Sequence, residues 1–459
     1  MDPNDVRTAF TVAMSAMYRN EVPLYGDLIR IVQSTNKEAL STKSQSADQT
    51  NIGESAVPQR LDLERHGAIR LGTPYELRTV SRIFAVIGLK AVGYYDLSIA
   101  GLPMHATCFR PIDLASLNKN PFRVFTTLLR PELLHDEEAQ DLATKLLTRR
   151  NIFSSRLLDL ISTAEGQNNR LTTSQAEDFI LEAMETFSWR PEASANEDEY
   201  KTLAAEHPIL ADIASFKSSH INHLTPRTLD IVASQERMKF EGLKVKSRIE
   251  GPPPRQCPIL LRQTSFLALE EQIKFRNFEG ALVEGTHRAR FGEIEERGAA
   301  VTPAGRKLYD ALLEKAMNKF QALSCDKRPE LMDELLSEVF LDYPDTWSEL
   351  RRQKLVYFTY RRTGKAFPKD SFKMLSLEDL VSQGYLEAGP ITYEDFLPFS
   401  AAGIFQSNLT SSKRSSLCEM GRPDQEGYEN ALGGALLSAD DLYLKSERES
   451  IEKCGLALD

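Results

Sequence analysis

The chain has 459 residues, of which 41% are hydrophobic and 27% charged, with a formal net charge of −10. That length implies two or three packed units, and the acidic balance excludes the basic surface that nucleic-acid binding requires. The start, Met1-Asp2-Pro3-Asn4-Asp5-Val6-Arg7, carries no secretory signal pattern, and no apolar run approaches the roughly 20 residues that span a bilayer. Cys108, Cys257, Cys325, Cys418 and Cys454 are scattered without a C-x-x-C pair, which suits reduced thiols in a cytoplasmic protein.

Residues 5–33 read as helical, with apolar spacing through Val6, Phe10, Val12, Ala13 and Met17 and then Leu24, Leu28, Ile31 and Val32. A polar tract over 34–59 reads as a loop. Residues 61–70 then predict a strand, and Thr73-Pro74-Tyr75-Glu76 starts a helix to about Gly88, with Thr73 as cap, Pro74 at the first helical position and Glu76 closing a capping box. Strands are expected over 91–99, 104–111 and 122–130. Residues 133–217 turn helical and charged, with a Ser174-x-x-Glu177 box opening one amphipathic stretch. The first pattern then returns: a strand over 219–225, a helix opened by Pro226, and strands over 243–249, 259–269 and 288–296. From Pro303 to about Glu387 the chain is mostly helical, interrupted by a strand over 354–361. Residues 388–405 are apolar and turn-rich, and the tail from Gln406 reads as a polar surface wrap with poor order in places. The division expected is N-terminal helices and loop (1–60), a first β-α-β-β-β module (61–132), a helical insertion (133–217), a second module (218–300), a C-terminal helical region with a site-closing segment (301–405) and a tail (406–459). The fold class is α+β.

Within the first strand, alternation puts His66 and Arg70 on one face, opposite the face expected to pack on the helix. A buried guanidinium there is costly unless an anion meets it. The second module offers His220 and His223 on opposite faces of one strand, and its last strand offers Glu293 and Glu295 on a shared face. Two imidazoles and one carboxylate hold Fe(II) with three positions open for substrate and O₂, whereas zinc hydrolases usually keep one for water. Alternation decides neither which histidine joins His66 nor which glutamate does. His105, His135, His207 and His287 lack a comparable setting and read as structural or exposed.

Three blocks, Arg65-His66-Gly67-Ala68-Ile69-Arg70-Leu71-Gly72-Thr73, His220-Ile221-Asn222-His223-Leu224-Thr225-Pro226-Arg227 and Phe291-Gly292-Glu293-Ile294-Glu295, resemble the 2-oxoadipate dioxygenase/decarboxylase (hydroxyglutarate synthase) family of the vicinal oxygen chelate superfamily. The similarity runs from the N-terminal helices to about Leu409. It implies paired β-α-β-β-β modules forming a curved mixed sheet around an Fe(II) held by His66, His223 and Glu293. It also implies that Arg70 binds the distal carboxylate of the substrate and that Ser400, in Leu397-Pro398-Phe399-Ser400-Ala401-Ala402-Gly403, closes the pocket. Phe399 departs from the smaller aliphatic residue expected in bacterial relatives, which bears on fine substrate preference. The implied reaction, in lysine catabolism, is 2-oxoadipate plus O₂ giving 2-hydroxyglutarate (D form) and CO₂, by a cytoplasmic monomer or weak homo-oligomer whose partners are only small molecules. A glyoxalase-type lyase or isomerase needing no O₂, or a non-catalytic regulatory protein, would use the same scaffold.

Overall fold

One antiparallel strand pairing and one parallel bridge decide where the site lies. In the computed structural model, which describes residues 1–45, 57–277, 280–323, 329–366, 375–397 and 421–456, strand β1 (Arg65–Leu71) is an interior strand, fourth of five, in a five-stranded sheet. Three helices precede it: α1 (Pro3–Glu21), α2 (Pro23–Gln45) and α3 (Val57–Leu63). Residues 61–63 are therefore helical, not the start of the strand. Helix α2 continues to Gln45, into the tract expected as a loop, because Thr35 and Asn36 are buried. The Asn36 amide donates to the Arg227 carbonyl at 3.0 Å and accepts from the Leu229 N–H at 2.7 Å, so polar composition there serves packing.

After β1 come α4 (Pro74–Val86), β2 (Lys90–Asp96), β3 (Met104–Arg110), the short α5 (Leu114–Lys119) and β4 (Arg123–Leu129). Thr73 caps α4 as expected, but the Glu76 carboxylate accepts from the Gly72 N–H at 2.8 Å instead of closing a box. β4 runs parallel to β1 and antiparallel to β3, which pairs antiparallel with β2. This is the first β-α-β-β-β unit. Ile69 and Leu71 of β1 pack with Leu77, Val80, Ile83, Phe84 and Ile87 beneath α4. Each such side chain contributes roughly 1.5–3 kcal/mol of burial. Along α1 the buried stripe is Val6, Phe10, Met14 and Tyr18, whereas Val12 faces solvent.

The insertion consists of α6 (Glu137–Arg149), α7 (Ser155–Gly166), α8 (Thr173–Phe187), α9 (Glu197–Glu206) and α10 (Pro208–Ala214). The box that opens α8 is formed by Thr172 and Gln175, two residues earlier than expected.

The second unit begins with β5 (His223–Pro226), shorter than expected, and Pro226 ends that strand. Helix α11 (Ile231–Phe240) starts instead at the Asp230 cap. Residues 243–249 form no strand among the described residues, only bridges such as Val245 to Phe266. Next come β6 (Leu261–Ser265), an inserted hairpin of β7 (Glu271–Arg276) and β8 (Leu282–His287), and β9 (Glu293–Arg297). β6 and β9 pair antiparallel, and Arg227 bridges Glu295 in parallel. First and last strands thus run parallel in both units, the topology the vicinal oxygen chelate resemblance implies. β1 and β5 join the units antiparallel, with Ala68 opposite His223 and His66 opposite Thr225.

Beyond β9 the chain forms α12 (Pro303–Ala322), α13 (Pro329–Val339), α14 (Trp347–Arg352), β10 (Phe358–Arg362), α15 (Leu377–Ser382) and β11 (Leu386–Pro390), with β10 and β11 antiparallel. β11 falls in the stretch expected to be turn-rich. The tail also differs from expectation: α16 (Gln425–Leu432) and α17 (Ala439–Lys453) are packed helices anchored by buried Tyr428, Tyr443 and Ile451.

Gly298, directly after β9, is tightly confined. A methyl group there would come within 2.4 Å of the Pro258 carbonyl carbon and 2.5 Å of the Ile259 nitrogen. Gly298→Ala is expected to cost about 1–3 kcal/mol of stability by displacing β9. An unchanged melting temperature would contradict this crowding.

Candidate metal centre

Period-two alternation, the β1–β5 register and the bridge from Arg227 to β9 place six polar side chains on one face shared by two adjoining sheets. His66, Ala68 and Arg70 share a face of β1; the pairing adds His223 and Thr225 from β5; the parallel bridge at Arg227 adds Glu293 and Glu295 from β9. The opposite face carries Ile69, Leu71, Leu224 and Ile294 into the helical core. The Tyr18 hydroxyl pins the entries of β5 and β9 together, reaching the Asn222 carbonyl at 3.1 Å and the Phe291 carbonyl at 2.7 Å.

Ligand-type atoms of His66, His223 and Glu293 lie within 4.8 Å of one another, and all three residues are buried. His66 Nε2 is 3.0 Å from Glu293 Oε2, and His223 Nε2 is 3.8 Å from the same oxygen. Thr225 Oγ1 and Gln263 Nε2 donate to Glu293 Oε2 at 3.0 and 2.9 Å. Glu293 Oε1 and His223 Nδ1 are buried with no hydrogen-bond partner among the described residues. Phe396 and Phe291 pack on the two imidazoles, at ring-centroid distances of 4.9 Å from His66 and 4.8 Å from His223.

Glu295, which alternation could not separate from Glu293, has a different task. Its Oε2 meets His66 Nδ1 at 2.9 Å, and Arg297 clamps the carboxylate through two bonds of 2.8 Å each. A carboxylate on Nδ1 fixes the imidazole plane and leaves Nε2 facing Glu293, the usual support for a metal-binding histidine. Glu295→Gln is expected to weaken metal affinity about 10–100-fold while leaving the three ligand-type residues present. Metal titration followed by equilibrium dialysis checks this; wild-type affinity would remove Glu295 from its supporting role.

Electrostatics follow from burial and charge pairing. Burial pushes the His223 pKa down to about 3 despite the pull of Glu293, so the ring is neutral at pH 7, the form that binds metal. Burial also disfavours charge on His66, but Glu295 and Glu293 outweigh it and raise its pKa. Burial opposes ionisation of Glu295, yet Arg297 and His66 hold it well below the usual carboxylate range. Beneath the site, Glu64 accepts from Arg60, Arg123 and Arg227 at 3.0, 2.9 and 3.1 Å, and Arg60 also reaches Glu394 at 2.7 Å. These buried charges are mutually compensated, the condition under which they survive in a core.

Arg70 is buried on the same face, and its anion is internal. Its Nη1 pairs with Asp212 Oδ2 from α10. Asp212 Oδ1 lies 3.1 Å from His220 Nε2 and 2.9 Å from His287 Nε2. These three form a second cluster of ligand-type side chains. His220 thus precedes β5 and serves Asp212, while His223 stands with His66 and Glu293. His287, set aside on sequence grounds, is buried in the same network as Arg70. His207 accepts from the Ile209 N–H at the start of α10, and His135 is exposed. Sequence reasoning missed Asp212, Gln263, Thr225 and Phe396; Thr225 lies in the 220–227 block but had no role there, the other three stand in no motif, and only tertiary contacts reveal all four. Phe399 and Ser400 lie outside the described residues.

Residues 10–408 match the 2-oxoadipate dioxygenase/decarboxylase family. The chain is 44% identical over 462 residues to the 2-oxoadipate dioxygenase/decarboxylase of Pseudomonas putida, covering 100% of this chain and 98% of that protein. It is 46% identical over 456 residues to that of Escherichia coli, covering 99% and 98%. Among solved structures, the hydroxyglutarate synthase of Pseudomonas putida in complex with 2-oxoadipate superposes with a TM-score of 0.89 at 42% identity, over 99% of this chain and 98% of that one. Such similarity along the full length of the sequence and the fold means that the chain belongs to the 2-oxoadipate dioxygenase/decarboxylase family.

Proposed function

We propose that this chain is an Fe(II)-dependent dioxygenase/decarboxylase that converts 2-oxoadipate and O₂ to 2-hydroxyglutarate, in the D form, and CO₂. The observation that carries the reading is the convergence of His66, His223 and Glu293 on one buried face that also bears Arg70. The donor set fits the ion. Two imidazoles and a carboxylate match Fe(II) chemistry, and Glu293 Oε1 and His223 Nδ1 are buried polar atoms without a partner among the described residues. When bound, Fe(II) supplies a chelating Lewis acid for the 2-oxo acid and the means to activate O₂.

The chain's own groups do the rest. Thr225 and Gln263 hold one oxygen of Glu293, and Glu295 holds His66 Nδ1, so these two ligands are presented in a fixed orientation. Phe291 and Phe396 wall the imidazoles and exclude water. Arg70 takes the distal carboxylate of the substrate, for which a planar guanidinium supplies both charge and angle. Ser400 is assigned as the pocket-closing contact on the family resemblance alone. In the balanced reaction the original carboxyl carbon leaves as CO₂, and O₂ supplies one oxygen to the new carboxylate and one to the hydroxyl. The same resemblance assigns the reaction to lysine breakdown, and the scattered cysteines suit a cytoplasmic setting. Among the described residues no helix is long and apolar enough to cross a membrane.

The test is oxygen uptake by Fe(II)-loaded protein given 2-oxoadipate, with chromatography of the product. Uptake accompanied by 2-hydroxyglutarate supports the assignment. Conversion of substrate without uptake points instead to a lyase or isomerase.

A further inference from the structure

We infer that Asp212 is a positioning residue for Arg70, and that His220, His287 and Tyr200 hold it there, so that this buried chain sets the affinity for the far carboxylate of the substrate. The inference rests on the assignment of Arg70 given above. Arg70 lies four residues beyond His66 on one strand, about 13 Å away at the ordinary strand rise. Across that span a long, flexible guanidinium has many places to stop. Where it stops decides which length of dicarboxylate reaches both the metal ligands and the arginine, so something must fix it.

Asp212 does so through both of its oxygens. Oδ2 pairs with Arg70 Nη1 and accepts from Asn222 Nδ2 at 3.3 Å. Oδ1 meets the two histidine Nε2 atoms at 3.1 and 2.9 Å. The Tyr200 hydroxyl lies 2.8 Å from His287 Nδ1. Asp212 Oδ1 can only accept, so His287 Nε2 carries the ring proton and Nδ1 accepts from the Tyr200 hydroxyl. That bond sets the His287 tautomer with its proton on Nε2, aimed at Asp212. Trp189 packs on both rings, at centroid distances of 4.6 Å from His220 and 5.8 Å from His287. The carboxylate is thus surrounded by donors on rigid supports. Burial opposes its ionisation, but Arg70 and His220 keep it well below the usual range.

Asp212, His220 and His287 also have the residue types of a metal site. Two features favour the positioning role. The guanidinium already on Asp212 would repel a dication, and the hydrogen-bond chain from Tyr200 gives His287 Nε2 a proton in place of a lone pair.

In Asp212→Asn, an amide whose oxygen faces the histidines turns its NH₂ toward Arg70 and Asn222, donor against donor, and the guanidinium loses its fixed place. The test uses metal-loaded protein and anaerobic titration calorimetry with 2-oxoadipate and with 2-oxohexanoate, which has the same chain length but no far carboxylate. Asp212→Asn is expected to raise the Kd for 2-oxoadipate at least about tenfold and to leave that for 2-oxohexanoate nearly unchanged; in turnover the loss falls on KM more than on kcat. Tyr200→Phe, which removes only a hydroxyl, is expected to raise the 2-oxoadipate Kd by about threefold in the same selective way, and it decides the matter if Asp212→Asn does not fold. An equal rise for both ligands, no rise for either, or two metal ions per wild-type chain would overturn the inference. Wild-type protein that binds 2-oxoadipate without consuming O₂ would defeat the assigned reaction, and the affinities would still decide the role of Asp212.

Discussion

Glu293→Ala is expected to abolish turnover, a loss of about a thousandfold or more, and to leave the chain without its full complement of metal. Glu293 is the one carboxylate among the three ligand-type residues and faces both imidazoles through the same oxygen. Its removal leaves two neutral donors, which hold a dication far more weakly. The variant also strands the Thr225 hydroxyl and Gln263 amide that donate to it, at a cost of about 1–3 kcal/mol for each buried group left unmet. Glu293→Gln separates these effects, because the amide keeps the shape and an acceptor for those donors while losing the charge. The glutamine variant should therefore melt close to wild type and remain inactive, with metal content and oxygen uptake as the readouts. Full activity in either variant would strike Glu293 from the ligand set. His66→Ala and His223→Ala carry the same expectation for the same reason.

Arg70→Ala is expected to raise the KM for 2-oxoadipate by about a hundredfold or more with metal content preserved. The guanidinium is buried, and a carboxylate arriving from solvent sheds its water only if a charge-assisted partner repays it. Lysine in its place should recover little, since a point charge cannot hold both distance and angle. The variant also leaves Asp212 without its cation, a change that can cost about 3–5 kcal/mol in a buried pair. Metal analysis beside steady-state kinetics decides the outcome. A variant that loses metal and keeps its affinity for 2-oxoadipate would reverse the role given to Arg70.

Much of this site could be read from local pattern, and the unreadable parts share a physical cause. Alternation along β1 is a property of any strand, so His66 and Arg70 could be assigned to one face from the sequence. Of the expected repeat, only the first β-α-β-β-β module, whose Thr73-Pro74 start and strand runs are local signals, was legible. The choice of His223 over His220 was not, because it depends on where β5 begins and on its pairing with Ala68, a contact between distant segments. Glu293 and Glu295 point the same way, and only Arg297 and the two nitrogens of His66 give them separate tasks. Residues 243–249 have the composition of a strand but lack a continuous partner among the described residues, while β7 and β8 form the hairpin that brings His287 to Asp212. The same blindness to tertiary partners hid the extension of α2, whose Asn36 is fixed by the backbone of residues 227–229, and the helices of the tail, held down by Tyr428 and Tyr443. Asp212 lies in a helical insertion with no motif around it, and its function exists only through Arg70.

The most direct measurement supplies ¹⁸O₂ to the Fe(II)-loaded protein with 2-oxoadipate and weighs the hydroxy acid that forms. The reaction assigned to His66, His223, Glu293 and Arg70 places both labelled oxygen atoms in 2-hydroxyglutarate, one in the new carboxylate and one in the hydroxyl, with unlabelled CO₂ released in equal amount. A product carrying no label, or substrate consumed without uptake of O₂, would contradict it.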